Sequence, residues 1–221
     1  SAVLEKVTYT YDTGADGRLL PVTLNLSFSG TLATVDITSI SYEEDKGAAK
    51  LTWERSADAR GGYAIYRHGE GSGKWTEIAR TQSTYYLDSM TPSAHDRTTW
   101  YYDVLALDAA GEPVSVHGEG CRFDLYPAVS DIRFYGYDDG FELRWFSYSL
   151  YCAVYRREVN RTEFALLGIG QSGSYKDTTA KRNVSYEYKV VPSDGTENVC
   201  GPAVLKRAYF TEILPDLCCS E

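Results

Sequence analysis

The sequence predicts an all-β protein: two β-sandwich modules in tandem, preceded by an N-terminal β-hairpin. Three observations carry that expectation. One pattern of short alternating strands occurs twice, about 92 residues apart. No stretch carries a helical period, whereas period-2 alternation between turn residues recurs along the chain. The composition, with 19 Gly, 7 Pro and 14% aromatic residues in 221, suits many strands and many turns.

The hairpin comes first. Residues 3–11 and 19–28 both alternate, with Val22, Leu24, Leu26 and Phe28 on one face. Asp12-Thr-Gly-Ala-Asp-Gly17 between them is a turn signal. An isolated hairpin is marginal in water. Residues 1–34 must therefore pack on the first module, belong to a preceding domain or be completed by another chain. The first module is expected over residues 35–126, with strands at 35–42, 48–55, 62–68, 74–80, 84–88, 99–108 and 114–124. The second is expected over 127–214, with strands at 130–136, 140–146, 151–157, 163–169, 173–177, 184–192 and 199–212, and residues 215–221 form a tail. The short junction at Tyr126-Pro127 implies a semi-rigid line.

The repeat also sets the strand phase. In the first copy Leu51 and Trp53 share a face, as do Tyr63 and Ile65, and Trp100, Tyr102, Val104 and Ala106. Those faces form the core, and Tyr66, Tyr101 and Leu105 point outward. In the second copy the inward set is Leu143, Trp145, Cys152, Val154, Tyr186, Tyr188 and Val190.

On these residues the chain resembles tandem fibronectin type III domains, which are immunoglobulin-like β-sandwiches. Leu51-Thr-Trp53 and Leu143-Arg-Trp145 match the family's second strand, where the Trp anchors the core. Tyr63-Ala-Ile-Tyr-Arg67 and Cys152-Ala-Val-Tyr-Arg156 match its third strand. The runs beginning at Trp100 and Tyr186 match its sixth, whose first aromatic is the tyrosine-corner residue. Tyr186 fills that place, but the indole of Trp100 cannot make the same hydroxyl bond. An immunoglobulin domain proper would need an inter-sheet Cys pair and a Trp on the third strand, and neither copy has them. The tyrosine-rich, linker-poor style is similar to modules of bacterial surface or secreted multidomain proteins.

Charge and cysteine usage bound the partners. A net charge of −9 argues against nucleic acid and against anionic membrane surfaces. No apolar run approaches the roughly 20 residues of a membrane span. Ser1-Ala2-Val3 reads as a processed or trimmed start without a signal-peptide pattern. The five cysteines (Cys121, Cys152, Cys200, Cys218 and Cys219) form no CxxC pair and show no metal-ligand spacing. Cys152 falls on a core-facing phase, where a thiol acts as a small hydrophobe. Cys121 and Cys200 are a candidate disulfide pair.

The motifs that resemble chemistry dissolve into turns. Gly168-Ile-Gly170-Gln-Ser-Gly173 spells a dinucleotide fingerprint, but a strand follows where a helix is required. Gly69-Glu-Gly-Ser-Gly73-Lys74 has the wrong spacing for a phosphate loop, and Trp75 stands where Ser or Thr is needed. The loop from Asp12 lacks the third and twelfth ligands of a calcium site. Ser93, His95 and Asp96 are too close in sequence for a catalytic triad. The expectation is no enzyme, no cofactor and no catalytic residue. Candidate binding residues are the outward aromatics Tyr66, Tyr101, Tyr135, Tyr137, Tyr148 and Tyr155, since aromatic surface patches take sugars or proteins. Asn25, Asn160 and Asn183 head N-glycosylation sequons. The function read from this is a non-catalytic extracellular or cell-surface module pair for spacing, adhesion or protein–protein binding, with a protein or glycan partner. The alternatives are accessory, carbohydrate-binding modules of a secreted carbohydrate-active enzyme, and a receptor ectodomain or viral surface fragment.

Overall fold

Alternation decides which face each strand buries, and the computed structural model shows the result twice. It describes residues 33–209, together with the backbone of β1 (Val3–Thr10) and β2 (Thr23–Ser29). These two pair antiparallel as a separate sheet, Val3 opposite Ser29 and Thr10 opposite Thr23, with a bulge at Leu4/Lys6. The turn expected at 12–17, the tail, Cys218 and Cys219 lie outside the described residues.

The first sandwich is built from β3 (Ile37–Glu43), β4 (Ala48–Trp53), β5 (Gly62–Gly69), β6 (Thr76–Thr81), β7 (Tyr85–Ser89), β8 (Thr98–Leu107) and β9 (Cys121–Leu125). Its sheets have the orders β3-β4-β7 and β6-β5-β8-β9. The second uses β10 (Ser130–Tyr137), β11 (Gly140–Phe146), β12 (Tyr151–Glu158), β13 (Ala165–Gln171), β14 (Ser174–Asp177), β15 (Ser185–Ser193) and β16 (Val204–Tyr209). The same two orders recur as β10-β11-β14 and β13-β12-β15-β16, joined through the single pair Gln171–Ser174. All the pairings within these sheets are antiparallel. Even the bulges repeat: Ile65/Tyr66 on β5 and Val154/Tyr155 on β12.

The expected inward residues are the two cores. Leu51, Ile65, Tyr102 and Val104 are fully buried in one, and Leu143, Val154, Tyr188 and Val190 in the other. Trp53 meets Tyr63 edge-on at 5.4 Å, a geometry worth about 1 kcal/mol beyond its buried area. Among the described residues, the indole Nε1 of Trp53 and of its counterpart Trp145 both have no hydrogen-bond partner. Tyr186 forms the corner: its hydroxyl accepts from the Lys181 N–H at 2.9 Å. At the matching place Trp100 is only half-buried, and the Arg67 guanidinium lies 4.2 Å over its ring.

A buried ionic group is also duplicated. Arg67 and the Tyr102 hydroxyl both donate to Asp88 Oδ2, at 2.5 and 2.6 Å. Arg156 and the Tyr188 hydroxyl do the same to Asp177 Oδ2, at 2.5 and 2.8 Å. Each carboxylate ties one sheet to the other, since Asp88 and Asp177 lie on β7 and β14 while their partners lie on β5, β8, β12 and β15.

Four expectations need correction. Leu105 is on the outward phase but only 4% exposed. The connection from β8 to β9 folds back over that face, with Val114 N–H bonded to Ala106 O and Ala106 N–H to Ser115 Oγ, both at 2.8 Å. That return path also shortens the strand expected at 114–124 to Cys121–Leu125. The strand expected from 199 begins at Val204, because Gly201-Pro202 interrupts it. Cys121 and Cys200 are free thiols. Cys121 opens β9, whereas Cys200 O accepts from Tyr126 N–H beyond its other end. About 16 Å of extended chain separates those two points, too far for the roughly 4.4–6.8 Å Cα separation of a disulfide.

The sandwiches meet through the β15–β16 connection of the second. Tyr42 N–H donates to Val199 O at 2.7 Å, and Asn198 Nδ2 donates to Ile40 O at 3.0 Å. Glu44 accepts from Ala203 N–H and faces Lys189 at 3.5 Å. Cys200, 3% exposed, is packed into the core of the first sandwich.

Candidate functional site

The outer face of the β6-β5-β8-β9 sheet gathers an aromatic cluster. Residues two apart on a strand share a face, so β5 presents Tyr66 and His68 together and β8 presents Tyr101 and Asp103. The register places His68 opposite Tyr101 and Tyr66 opposite Asp103. Two connections complete the group. The β5–β6 connection brings Trp75, and the β8–β9 connection brings His117. Gly120 has φ +82° and lies so close that a Cβ there would meet the Trp75 ring at 2.7 Å.

The rings form one ladder. His68 stacks on Tyr101 at 4.8 Å and 11°, and meets Trp75 nearly edge-on at 4.4 Å. Trp75 stacks on His117 at 5.4 Å and 4°, and His117 meets Tyr66 edge-on at 4.6 Å. Hydrogen bonds fix both imidazoles. His117 Nδ1 donates to Asp103 Oδ2 at 2.8 Å, and His68 Nδ1 donates to Gly69 O at 2.9 Å. Asp103 is buried, and also accepts from the N–H groups of Gly118 and Val104. The Tyr66 hydroxyl donates to Glu77, whose carboxyl Arg80 holds below its usual range, with Tyr66 adding to the effect. The cluster thus offers ring edges and two imidazole Nε2 atoms on a preorganised surface.

The six sequence-predicted aromatics do not form one surface. Tyr66 and Tyr101 belong to the ladder. Tyr135 and Tyr137 lie on β10, with Arg144 4.9 Å over the first and Lys176 5.3 Å over the second. Tyr148 sits in the β11–β12 connection against Phe146 at 5.1 Å. Tyr155 is on β12, with the Lys189 ammonium 5.8 Å over its ring. Asn160 and Asn183 are both exposed, and the Val159 N–H to Ser185 O bond at 3.0 Å draws their turns together. Asn25 is on β2, whose side chains lie outside the described residues. Sequence reasoning missed His68, Trp75 and His117. His68 was within reach, being two residues from Tyr66, but Trp75 and His117 join only through the path of their loops.

A three-stranded sheet faces a four-stranded one in each sandwich, with Trp on the second strand and, in the second copy, a hydroxyl-bonded tyrosine corner. Each module has the fibronectin type III fold. No protein-family model matches the chain, and no curated protein matches it in sequence. Among solved structures it is similar to a two-domain fibronectin type III segment of chicken tenascin, at 11% identity and TM-score 0.36, over 81% of this chain and 99% of that one. It is also similar to the FN1–FN3 domains of chicken CNTN1, at 18% identity and TM-score 0.31, over 83% of this chain and 68% of that one. Among the described residues no helix is long and apolar enough to cross a membrane.

Proposed function

We propose that the chain is a non-catalytic pair of binding modules, 35–126 and 127–214, that works outside the cell or at its surface and presents the Tyr66–His68–Trp75–Tyr101–His117 face to a protein partner. The ladder is the observation that carries the reading. Tyr and Trp are enriched where proteins meet, because they add large contact area at little entropic cost. A sugar stacks on a free ring face. Here Trp75 and Tyr101 each have a ring face against an imidazole, which favours a protein partner over a glycan. The second module holds the first through its β15–β16 connection, so the face is presented at a set angle and spacing.

The test is a screen of the wild-type pair and of Trp75→Ala and Tyr66→Ala variants against immobilised surface proteins and a polysaccharide panel. A protein ligand whose affinity falls at least tenfold in both variants supports the reading. Binding to polysaccharide alone, or protein binding indifferent to both substitutions, overturns it.

A further inference from the structure

The end of the first sandwich away from the junction carries a second site. β4 runs into the connection 54–61 and β5 leaves it, while the β6–β7 turn at 82–84 closes the same end. Between them lies a cleft of about 700 Å³, within the size of small-ligand and peptide-anchor pockets. Arg55 and Arg60 line it, with Gln82, Ser83, Thr84 and the half-exposed ring of Tyr85, and no carboxylate is among its lining residues.

The two arginines are unusual in this chain. Their guanidinium groups have no ion-pair or hydrogen-bond partner among the described residues. Apart from Arg161, every other arginine of the two sandwiches has a carboxylate within ion-pair distance. Glu54 and Asp58 neighbour them in sequence but do not line the cleft. In a chain of net charge −9, a pocket with two free guanidiniums and a rim of hydroxyl and amide groups is built for carboxylate.

The junction indicates the carrier of that carboxylate. Within this chain the acidic β3–β4 turn, Glu43-Glu44-Asp45, already serves as a docking element: Glu44 accepts from Ala203 N–H at 3.0 Å and pairs with Lys189 at 3.5 Å on the second sandwich. Those contacts lie on β15 and its connection to β16, not at the counterpart of the cleft. We propose that the Arg55–Arg60 cleft receives an acidic loop of a protein partner, the kind of element by which the first module docks Glu44 on the second. This site is separate from the aromatic ladder and stands or falls without it.

The test is a titration of the 221-residue chain, followed by NMR through the arginine side-chain Nε–H signals. The probe is the acidic peptide of residues 41–47; its Gln/Asn counterpart and an oligouronate are the comparisons. The acidic peptide should move the Arg55 and Arg60 signals, bind at least tenfold more weakly to Arg55→Gln/Arg60→Gln, and be displaced by high salt. Both arginines are exposed, so the double variant should keep the wild-type thermal midpoint. No shift, a shift that persists in the double variant, or equal binding of the uncharged peptide would overturn the proposal. Binding of the oligouronate in preference to the peptide would overturn it too, by assigning the cleft to acidic sugars.

Discussion

Asp177 shows how a single residue holds the two sheets of a module together. Burial would raise its carboxyl pKa, but hydrogen bonds from Thr179 and Tyr188, with the charge of Arg156, outweigh that and hold it below the usual range. A carboxyl depressed in the folded state stabilises the fold fully above its unfolded value of about 3.9, and that contribution is lost as the pH falls through the folded value. Chemical denaturation of the pair should therefore show constant stability near neutrality and a decline below about pH 4. Asp177→Ala leaves Arg156 without its partner and should cost about 3–5 kcal/mol, with a shallower acid decline. A variant that unfolds at the wild-type denaturant midpoint would show that the duplicated ionic group is incidental. The cysteines give a second check at this scale. Burial, then Asp194 and Asp124, pushes the Cys200 thiol up to about 12, and burial raises Cys152. Thiolate is the reactive form. Alkylation at pH 8 followed by mass spectrometry should leave both unmodified in the native chain and modify them after denaturation. Rapid native labelling of Cys200 would mean that it is not seated in the first core.

At the level of elements, the β10–β11 turn has no slack. Gly140 has φ +146°, and a Cβ there would lie 2.0 Å from Asp177 O. Gly140→Ala should cost more than the roughly 1 kcal/mol of an ordinary Gly-to-Ala mismatch, read as a drop in thermal midpoint. A neutral result would show that the turn can shift. The strands themselves were legible in the sequence because alternation and burial coincide: every residue assigned inward is buried except Trp100, which stays half-buried under Arg67. Connections were less legible. Nothing in the period of β8 reveals that residues 108–120 turn back over its outer face, so alternation alone puts Leu105 outward and does not connect His117 to Tyr66. For the same reason only Tyr66 and Tyr101 of the ladder were readable, since both lie on strands whose phase is fixed. Trp75 falls inside the strand expected at 74–80, but that strand starts at Thr76, and the place of Trp75 in the ladder depends on Gly120, far away in sequence.

Taken whole, the molecule is two copies of one design joined by an unequal contact. The second module's β15–β16 connection completes the first module's surface, so Cys200 counts in a core to which it does not belong by sequence. Asn198→Ala removes side-chain bonds to Ile40 O and Asp194 and should loosen the pair while leaving each core intact. Small-angle scattering would then show a broader distribution of dimensions at an unchanged circular dichroism spectrum. An unaltered scattering curve would shift the weight of the junction to Tyr42, Glu44 and Cys200. The central claim, that the two β-sandwich modules act as one fixed unit, is tested most directly by residual dipolar couplings of the wild-type pair. The backbone couplings of β3–β9 and β10–β16 should fit a single alignment tensor with the orientation seen here. Two tensors of different magnitude would mean independently tumbling modules and would contradict the account.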